Sequence, residues 1–436
     1  MGTIKEPYLI RNISTILSVI LFIKIGGYFT ITDVKIITQI FKVISRVGMT
    51  FSAFLIIRQL RSYGCVNILQ LKNTMNLILY ISYLALGFAS FAWSTDPMYS
   101  ALQWFMTFES FVFVYLFFQI VYTVNTYFPH KKIDLVNIFV KSIFPIIVIF
   151  IIGSFVLPDF FYREMRGGEE IRLGGWIMNP NELGMLASIL GALSYLYLSN
   201  QTNKGKVFSI ISIASSLLIL VLTSSRSSLI GFLIVIGILI LKSDSKKLKI
   251  VMFVLITLAA PIAIDEIIFK DGGGIEEVMS MTGRLPFWTA LLNEGIIKEP
   301  FFGYGFMRIN YTDYFQGLNT YPGKMTHNTF MQVLMNLGFV GLFIALFQVF
   351  FTVKNYIKSR LDDYANFFIA VFIPVMINSF TEFGIFGDAN YGILFWQFLI
   401  FLFLFEKRIH LTSNEKNSIL KFNTSKLASI TNQNSH

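Results

Sequence analysis

Two positions in the sequence carry side chains that packing alone does not ask for. The first is Arg226 in TSSRSSLIG (223–231), the sole charged residue in an apolar run from Val207 to Leu241. A guanidinium is a rigid fork of donors that fits two phosphate oxygens, a geometry an ammonium cannot reproduce. The second is His327 in THNTF (326–330). Imidazole exchanges protons near neutral pH and can activate a hydroxyl as general base. Each has an ordinary alternative: an arginine reaching to the headgroups from a surface turn, and a histidine that merely opens a helix.

The elements that must hold these groups are membrane helices. The 436 residues are 55% hydrophobic and only 14% charged, against about 25% charged in soluble domains. Apolar stretches of near-spanning length recur throughout, without the alternation of a transmembrane barrel. The pattern predicts an all-α polytopic transmembrane bundle of about twelve helices, at 12–31, 37–57, 74–93, 98–122, 134–157, 181–199, 207–222, 227–241, 250–268, 327–352, 364–381 and 389–405. The first apolar segment reads as a retained helix rather than a signal peptide. Residues 1–268 thus hold nine helices and an outer loop (158–180). A large, partly helical outer loop (269–326) joins helices 9 and 10, helices 10–12 occupy 327–405, and 406–436 forms a polar tail.

With the N-terminus cytoplasmic, Lys and Arg are in excess in the inner loops, which places both termini inside. Arg163, Arg166, Arg172, Arg226, Arg284 and Arg308 then lie outside, whereas lysine predominates inside. Of the histidines, His130, His410 and His436 fall inside, so His327 alone is available to outer chemistry. Lys24, Lys42, Arg46 and Lys141 fall within helices, where they can line a lipid groove or snorkel. The net charge of +10 therefore reflects sidedness and does not call for nucleic acid.

A 35-residue helix through Arg226 would measure about 52 Å, well beyond a hydrocarbon core of roughly 30 Å. The run must fold into a hairpin, and its short second arm lets the turn lie below the outer surface. Charge and irregular backbone persist there only where protein or water satisfies them, and Thr223 and the serines can serve the backbone. An arginine facing a lipid-linked phosphate fits this position. In IRLGGWIMNPNELG (171–184), Asn179 or Asn181 can cap the sixth helix, with Pro180 in its first turn. Arg172 lies beside two glycines that allow a ligand near the backbone.

The stretch TGRLPFWTALLNEG (282–295) predicts a short amphipathic helix, capped by Thr282 with Pro286 in its first turn and Gly295 ending it. The aromatics of 269–326, among them Trp288, Phe287, Phe301, Phe302, Phe306, Tyr304 and Tyr311, suit either an interfacial belt or a sugar-stacking platform. Thr326 or Asn328 can cap the helix that follows His327. Phosphate-binding Gly-rich loops, HExxH and GxSxG are absent, as is any outer Asp pair to hold a metal. The adjacent Glu169 and Glu170 read as solvated. Cys65, the single cysteine, excludes an intrachain disulfide.

Four stretches in this order and sidedness, IRLGGWIMNPNELG, TSSRSSLIGFL, TGRLPFWTALLNEGIIKEPFFGYGF and THNTFMQVLMNLGFVG, together with AWSTDP (92–97), resemble the O-antigen ligase and O-antigen polymerase superfamily. These are GT-C-like integral membrane glycosyltransferases of the bacterial envelope. The resemblance implies an undecaprenyl-pyrophosphate-linked oligosaccharide as donor and neither cofactor nor metal. The arginines matching Arg172, Arg226 and Arg284 would hold the pyrophosphate, and the histidine matching His327 would activate the acceptor hydroxyl. It also implies an active site on the outer face of the cytoplasmic membrane. A polymerase would build capsular, exopolysaccharide or O-antigen chains, in contact with membrane lipid and the growing polysaccharide and alongside a flippase and a chain-length regulator. The alternatives are a ligase acting on a lipid A core, teichoic-type polymer or protein, and a transporter of lipid-linked sugars. A transporter should show internal repeats, and none is visible.

Overall fold

The computed structural model describes residues 7–65, 69–165, 170–198, 203–243, 246, 249–250, 284–306, 326–359, 364–382, 384–387 and 390–407. Eleven of the twelve expected helices lie among them: α1 (Tyr8–Gly26), α2 (Lys35–Ser62), α3 (Met75–Ala89), α4 (Pro97–Tyr127) and α5 (Leu135–Val156), then, after the one-turn α6 (Pro158–Phe161), α7 (Pro180–Leu198), α8 (Asn203–Thr223) and α9 (Arg226–Lys242). Beyond the short α10 (Arg284–Ala290) come α11 (Thr329–Lys358), α12 (Ala365–Thr381) and α13 (Tyr391–Phe401). The expected helix at 250–268, most of 269–326 and the tail fall outside the described residues. Short polar caps start the helices where the sequence turns apolar. Asp96 accepts from the Tyr99 amide (3.1 Å), Asp134 from Val136 (2.9 Å) and Asn390 from Ile393 (3.2 Å), each satisfying a donor that a helix start leaves open.

Seven of the described helices are long and apolar enough to cross a membrane, and the chain is a multi-pass membrane protein of the expected all-α class. α7 is the axis of the bundle: from Leu183 to Ser194 every side chain is buried, as a helix apolar on all sides must be. It packs against α5, α8, α9 and α12. α2 and α8 instead turn Ile36, Ile40, Ile44, Val207, Ile210 and Val221 outward, the faces that meet lipid tails. The described residues also form two small antiparallel pairs. β1 (Leu69–Leu71) pairs with β4 (Phe405–Lys407), and β2 (Tyr162–Met165) pairs with β3 (Glu170–Leu173), with Arg163 opposite Arg172.

Two features depart from the sequence expectation. α11 is broken at Gly338, whose φ of 63° and ψ of −164° leave the helix. A loop segment mends the break: the amides of Tyr304 and Gly305 donate to the carbonyls of Met335 (3.0 Å) and Asn336 (2.8 Å), and those of Phe339 and Val340 donate to Pro300 (2.8 Å) and Phe301 (3.2 Å). Irregular backbone within a membrane bundle survives only when so satisfied. A Cβ at Gly338 would lie 2.2 Å from the Phe301 carbonyl carbon, so only glycine fits. Thr329–Leu337 is thereby a separate piece, held by the outer loop as well as by its neighbours.

The second departure concerns the intrahelical cations. Lys24 and Arg46 neither snorkel nor line a lipid groove: they are buried around Glu109 of α4. Lys24 bonds directly to Glu109 Oε1, as does Thr50. Arg46 Nε stands 3.7 Å from Oε2, Arg46 Nη2 donates to the Met106 carbonyl, and its guanidinium lies 4.0 Å from the centre of the Tyr28 ring. Lys42 is half-buried and Lys141 exposed. A carboxylate between two buried cations cannot be lost cheaply, because its removal strands both charges. Glu109→Gln is expected to cost about 3–5 kcal/mol, read as a lowered unfolding temperature in detergent; an unchanged transition would show the cluster to be dispensable.

Candidate active site

One end of the bundle gathers the start of α7, the α8–α9 turn, the starts of α10 and α11, the end of α12 and the β2–β3 hairpin. β3 delivers Arg172, which is buried. Its Nε donates to the Thr223 carbonyl (2.7 Å), and its Nη2 donates to the Ser224 carbonyl (3.2 Å) and to Asn181 Oδ1 (2.8 Å). The last carbonyls of α8 are negative in character, so this guanidinium closes the helix and fixes the turn that carries Arg226. Ser224 takes a left-handed φ of 47°, strain that persists only where the surroundings impose it.

The turn is held from inside as well. Thr223 and Ser224 hydroxyls donate to the carbonyls of Leu220 and Val221. Ser225 donates to the Ser228 hydroxyl (2.8 Å), which donates to the Asn181 carbonyl (3.1 Å). The serines thus serve the backbone as expected, but the carbonyls of residues 223 and 224 depend on Arg172, which the sequence did not reveal. Arg226, half-buried, is the first residue of α9. The Ser225 side chain does not cap that helix, and helix starts favour anions.

Asn179, rather than Asn181, turns its side chain to the start of α7, accepting from the Asn181 amide (2.9 Å). This releases Asn181 to bridge: its Nδ2 donates to Glu382 Oε1 (2.7 Å). Glu382, directly after α12, is the hub of the site. The same Oε1 receives Arg284 Nη2 at 3.1 Å, and Oε2 lies 2.7 Å from His327 Nδ1. Arg284 Nη1 also donates to the Thr381 carbonyl (2.7 Å), at the negative end of α12. Burial pushes the Glu382 carboxyl upward, but His327, Arg284 and Asn181 outweigh it and hold the group below the usual carboxylate range. With Nδ1–H directed at a carboxylate, the neutral ring carries its lone pair on Nε2, the tautomer able to accept a proton.

His327 itself is held at a left-handed φ of 49°. Asn328 caps α11, accepting from Phe330 (2.9 Å) and Met331 (3.0 Å), while its Nδ2 donates to the Phe380 carbonyl (3.2 Å). Thr326 bonds to the Asn328 carbonyl (2.9 Å) and accepts nothing from the helix start beyond the Asn328 amide (3.4 Å). The helix expected at 282–295 forms as α10, with Pro286 in its first turn, and continues as a wider coil through Leu291–Ile296; Thr282 lies outside the described residues. Trp288 donates to the Thr326 carbonyl (2.7 Å), and Phe287, Tyr304 and Phe306 are buried. These aromatics pack the site from behind, whereas Phe301 and Phe302 are exposed. Tyr311, Arg166 and Arg308 are outside the described residues.

Direct hydrogen bonds therefore link Arg172, Asn181, Glu382, His327 and Arg284, and the α8–α9 turn adds Arg226 through Arg172. Glu382 and the bridging role of Asn181 escaped the sequence reading. The one signal for Glu382 was a lone carboxylate closing an apolar helix on the side of His327. Chemically, the set offers an oriented base beside the anchored guanidiniums of Arg172 and Arg284, with Arg226 on the adjoining turn. No curated protein matches the chain. Residues 210–346, from α8 into α11, match the family model described as O-antigen ligase, a stretch that includes Arg226, Arg284 and His327. Over this stretch the chain is similar to the O-antigen ligase family, in line with the likeness to the O-antigen ligase and polymerase superfamily.

Proposed function

We propose that the protein is a polymerase that joins undecaprenyl-pyrophosphate-linked oligosaccharide repeat units at the outer face of the cytoplasmic membrane. The observation that carries this reading is Glu382, which orients His327 and anchors Arg284 with its two oxygens. In the proposed step the acceptor hydroxyl oxygen attacks the anomeric carbon of the donor sugar and gives its proton to His327 Nε2. The bond from that carbon to the pyrophosphate oxygen breaks, and its electron pair leaves with the pyrophosphate. Arg226 and Arg284 stabilise that developing charge, as preorganised donors do best. Arg172 holds the turn under Arg226 and adds its own charge to the same anion. The imidazolium is balanced by Glu382. The scheme calls for neither metal nor nucleotide.

The family match supports ligase and polymerase alike. Incubating the purified protein with an undecaprenyl-pyrophosphate repeat unit alone separates them. A ladder of longer lipid-linked products is expected; transfer only after addition of a second acceptor would make the protein a ligase, and no transfer to any acceptor would refute a transferase.

Arg226 provides a test of the donor site. Arg226→Ala is expected to lower turnover about 10²–10³-fold, the usual loss for one preorganised donor to a developing oxyanion. Arg226→Lys should recover only part of it, since lysine lacks the fork. Polymer yield at matched membrane levels decides: wild-type yield from the lysine variant removes the bidentate role, and wild-type yield from the alanine variant removes Arg226 from the site.

A further inference from the structure

The segment between Arg172 and Asn181 does more than connect two site residues. Gly174 and Gly175 take φ values of 140° and 60°, and Cβ atoms there would lie 2.7 Å from the Met178 carbonyl oxygen and 2.1 Å from that of Phe160. The turn is pressed against its surroundings and further tied by Thr30, whose amide donates to the Ile177 carbonyl (2.9 Å). From this fixed turn Trp176 projects outward, 61% exposed. The guanidinium of Arg163 lies 5.7 Å from the centre of its ring. Arg163 sits directly opposite Arg172 across the hairpin, and directly opposed residues share one face of an antiparallel pair. That face meets the α8–α9 turn, because Arg172 reaches its carbonyls.

We propose that Trp176 and Arg163 form a carbohydrate-stacking subsite at the rim of the active site, which takes a sugar ring of the lipid-linked glycan. The inference rests on the transferase reading for its substrate class. A pyranose has an apolar face of C–H groups and a perimeter of hydroxyls. The indole supplies a flat apolar surface and the guanidinium supplies donors beside it. A tryptophan that only anchors the protein at the membrane interface needs neither a fixed angle nor a cation shared with the face of Arg172. Among the described residues of the long loop, Trp288 and Tyr304 spend their polar atoms on the Thr326 and Gly295 carbonyls.

The test uses the full-length protein in nanodiscs, with wild type, Trp176→Leu, Arg163→Gln and His327→Ala compared. The probe is the soluble oligosaccharide released by mild acid from the lipid-linked repeat unit. Saturable binding by titration calorimetry is expected for wild type and His327→Ala. Affinity should fall about tenfold in Trp176→Leu, the size of one aromatic contact, and less in Arg163→Gln. In turnover assays Trp176→Leu should raise KM by a similar factor and leave kcat within about twofold of wild type. Equal binding by wild type and Trp176→Leu would overturn the proposal. So would quenching of the Trp176 emission by brominated lipids with no response to oligosaccharide, which would make it an interfacial anchor. Because binding is read without transfer, its absence in a wild-type protein that still polymerises refutes the subsite alone. Binding that survives in a protein that never transfers refutes the transferase reading alone.

Discussion

Replacing His327 by alanine is expected to lower turnover about 10²–10⁴-fold while donor binding is largely kept, the contribution of a positioned general base. A sugar hydroxyl is a weak nucleophile at neutral pH, and among the described residues of this site no second side chain offers a neutral acceptor in the same place. In the proposed scheme the guanidiniums bind the phosphates, so KM for the donor should change little, and the loss should fall on kcat. The backbone strain at position 327 adds a control. His327→Asn retains a residue type that tolerates the left-handed conformation and should fold as wild type, yet remain as inactive as the alanine variant. Near-normal turnover by either variant at normal expression would remove His327 from the chemistry.

What could be read from the sequence follows a physical pattern. Arg226 and His327 were legible because each is a rare type in its setting, one charge in an apolar run and the one histidine that the lysine and arginine pattern assigns to the outside. Arg172 was marked by the two glycines beside it, Arg284 followed from the resemblance, and the structure ties them to the turn and the carboxylate of the candidate site, respectively. Asn181 and Glu382 were not legible as partners, since they lie 201 residues apart in the chain and His327 lies 55 residues before Glu382. Nothing local marks a carboxylate as the acceptor for groups so distant. The break at Gly338 was hidden for a related reason. The apolar pattern of α11 runs unbroken across it, and what ends the helix there is a loop segment, Pro300–Gly305, that arrives from another part of the chain. The two strand pairs escaped because three- and four-residue strands leave almost no periodicity to detect. Helix existence is a local property of composition; the contacts that turn helix ends into a site are not.

Glu382→Gln is expected to cost about as much as loss of the base itself, by a different route. The carboxylate accepts on both oxygens: Arg284 and Asn181 donate to Oε1, and His327 Nδ1 meets Oε2. An amide has one acceptor and one donor end. With two donors aimed at the Oε1 position, the amide oxygen must stay there and the NH2 group turns to His327. Nδ1 then becomes the acceptor, the ring proton moves to Nε2, and the imidazole can no longer take a proton from the acceptor hydroxyl. Wrong-tautomer substitutions of this kind lower kcat by about 10⁴-fold in catalytic triads. The fold should survive, since the hydrogen bonds of Arg284 and Asn181 are kept. Glu382→Asp, which is shorter but still accepts on both oxygens, should recover part of the rate. The same carboxylate sets an acid limit on the wild type. Its proton affinity is depressed in the folded protein, so its stabilising contribution is fully present above the ordinary carboxylate range and is lost as pH falls through the lowered folded-state value. The Gln variant cannot lose that contribution, so the acid side of its unfolding profile should be flatter than that of wild type. Turnover and unfolding temperature against pH for wild type, Glu382→Gln and Glu382→Asp test both parts. Full activity in the Gln variant would show that Glu382 does not set the tautomer of His327, and identical acid profiles would show that its ionisation does not support the fold.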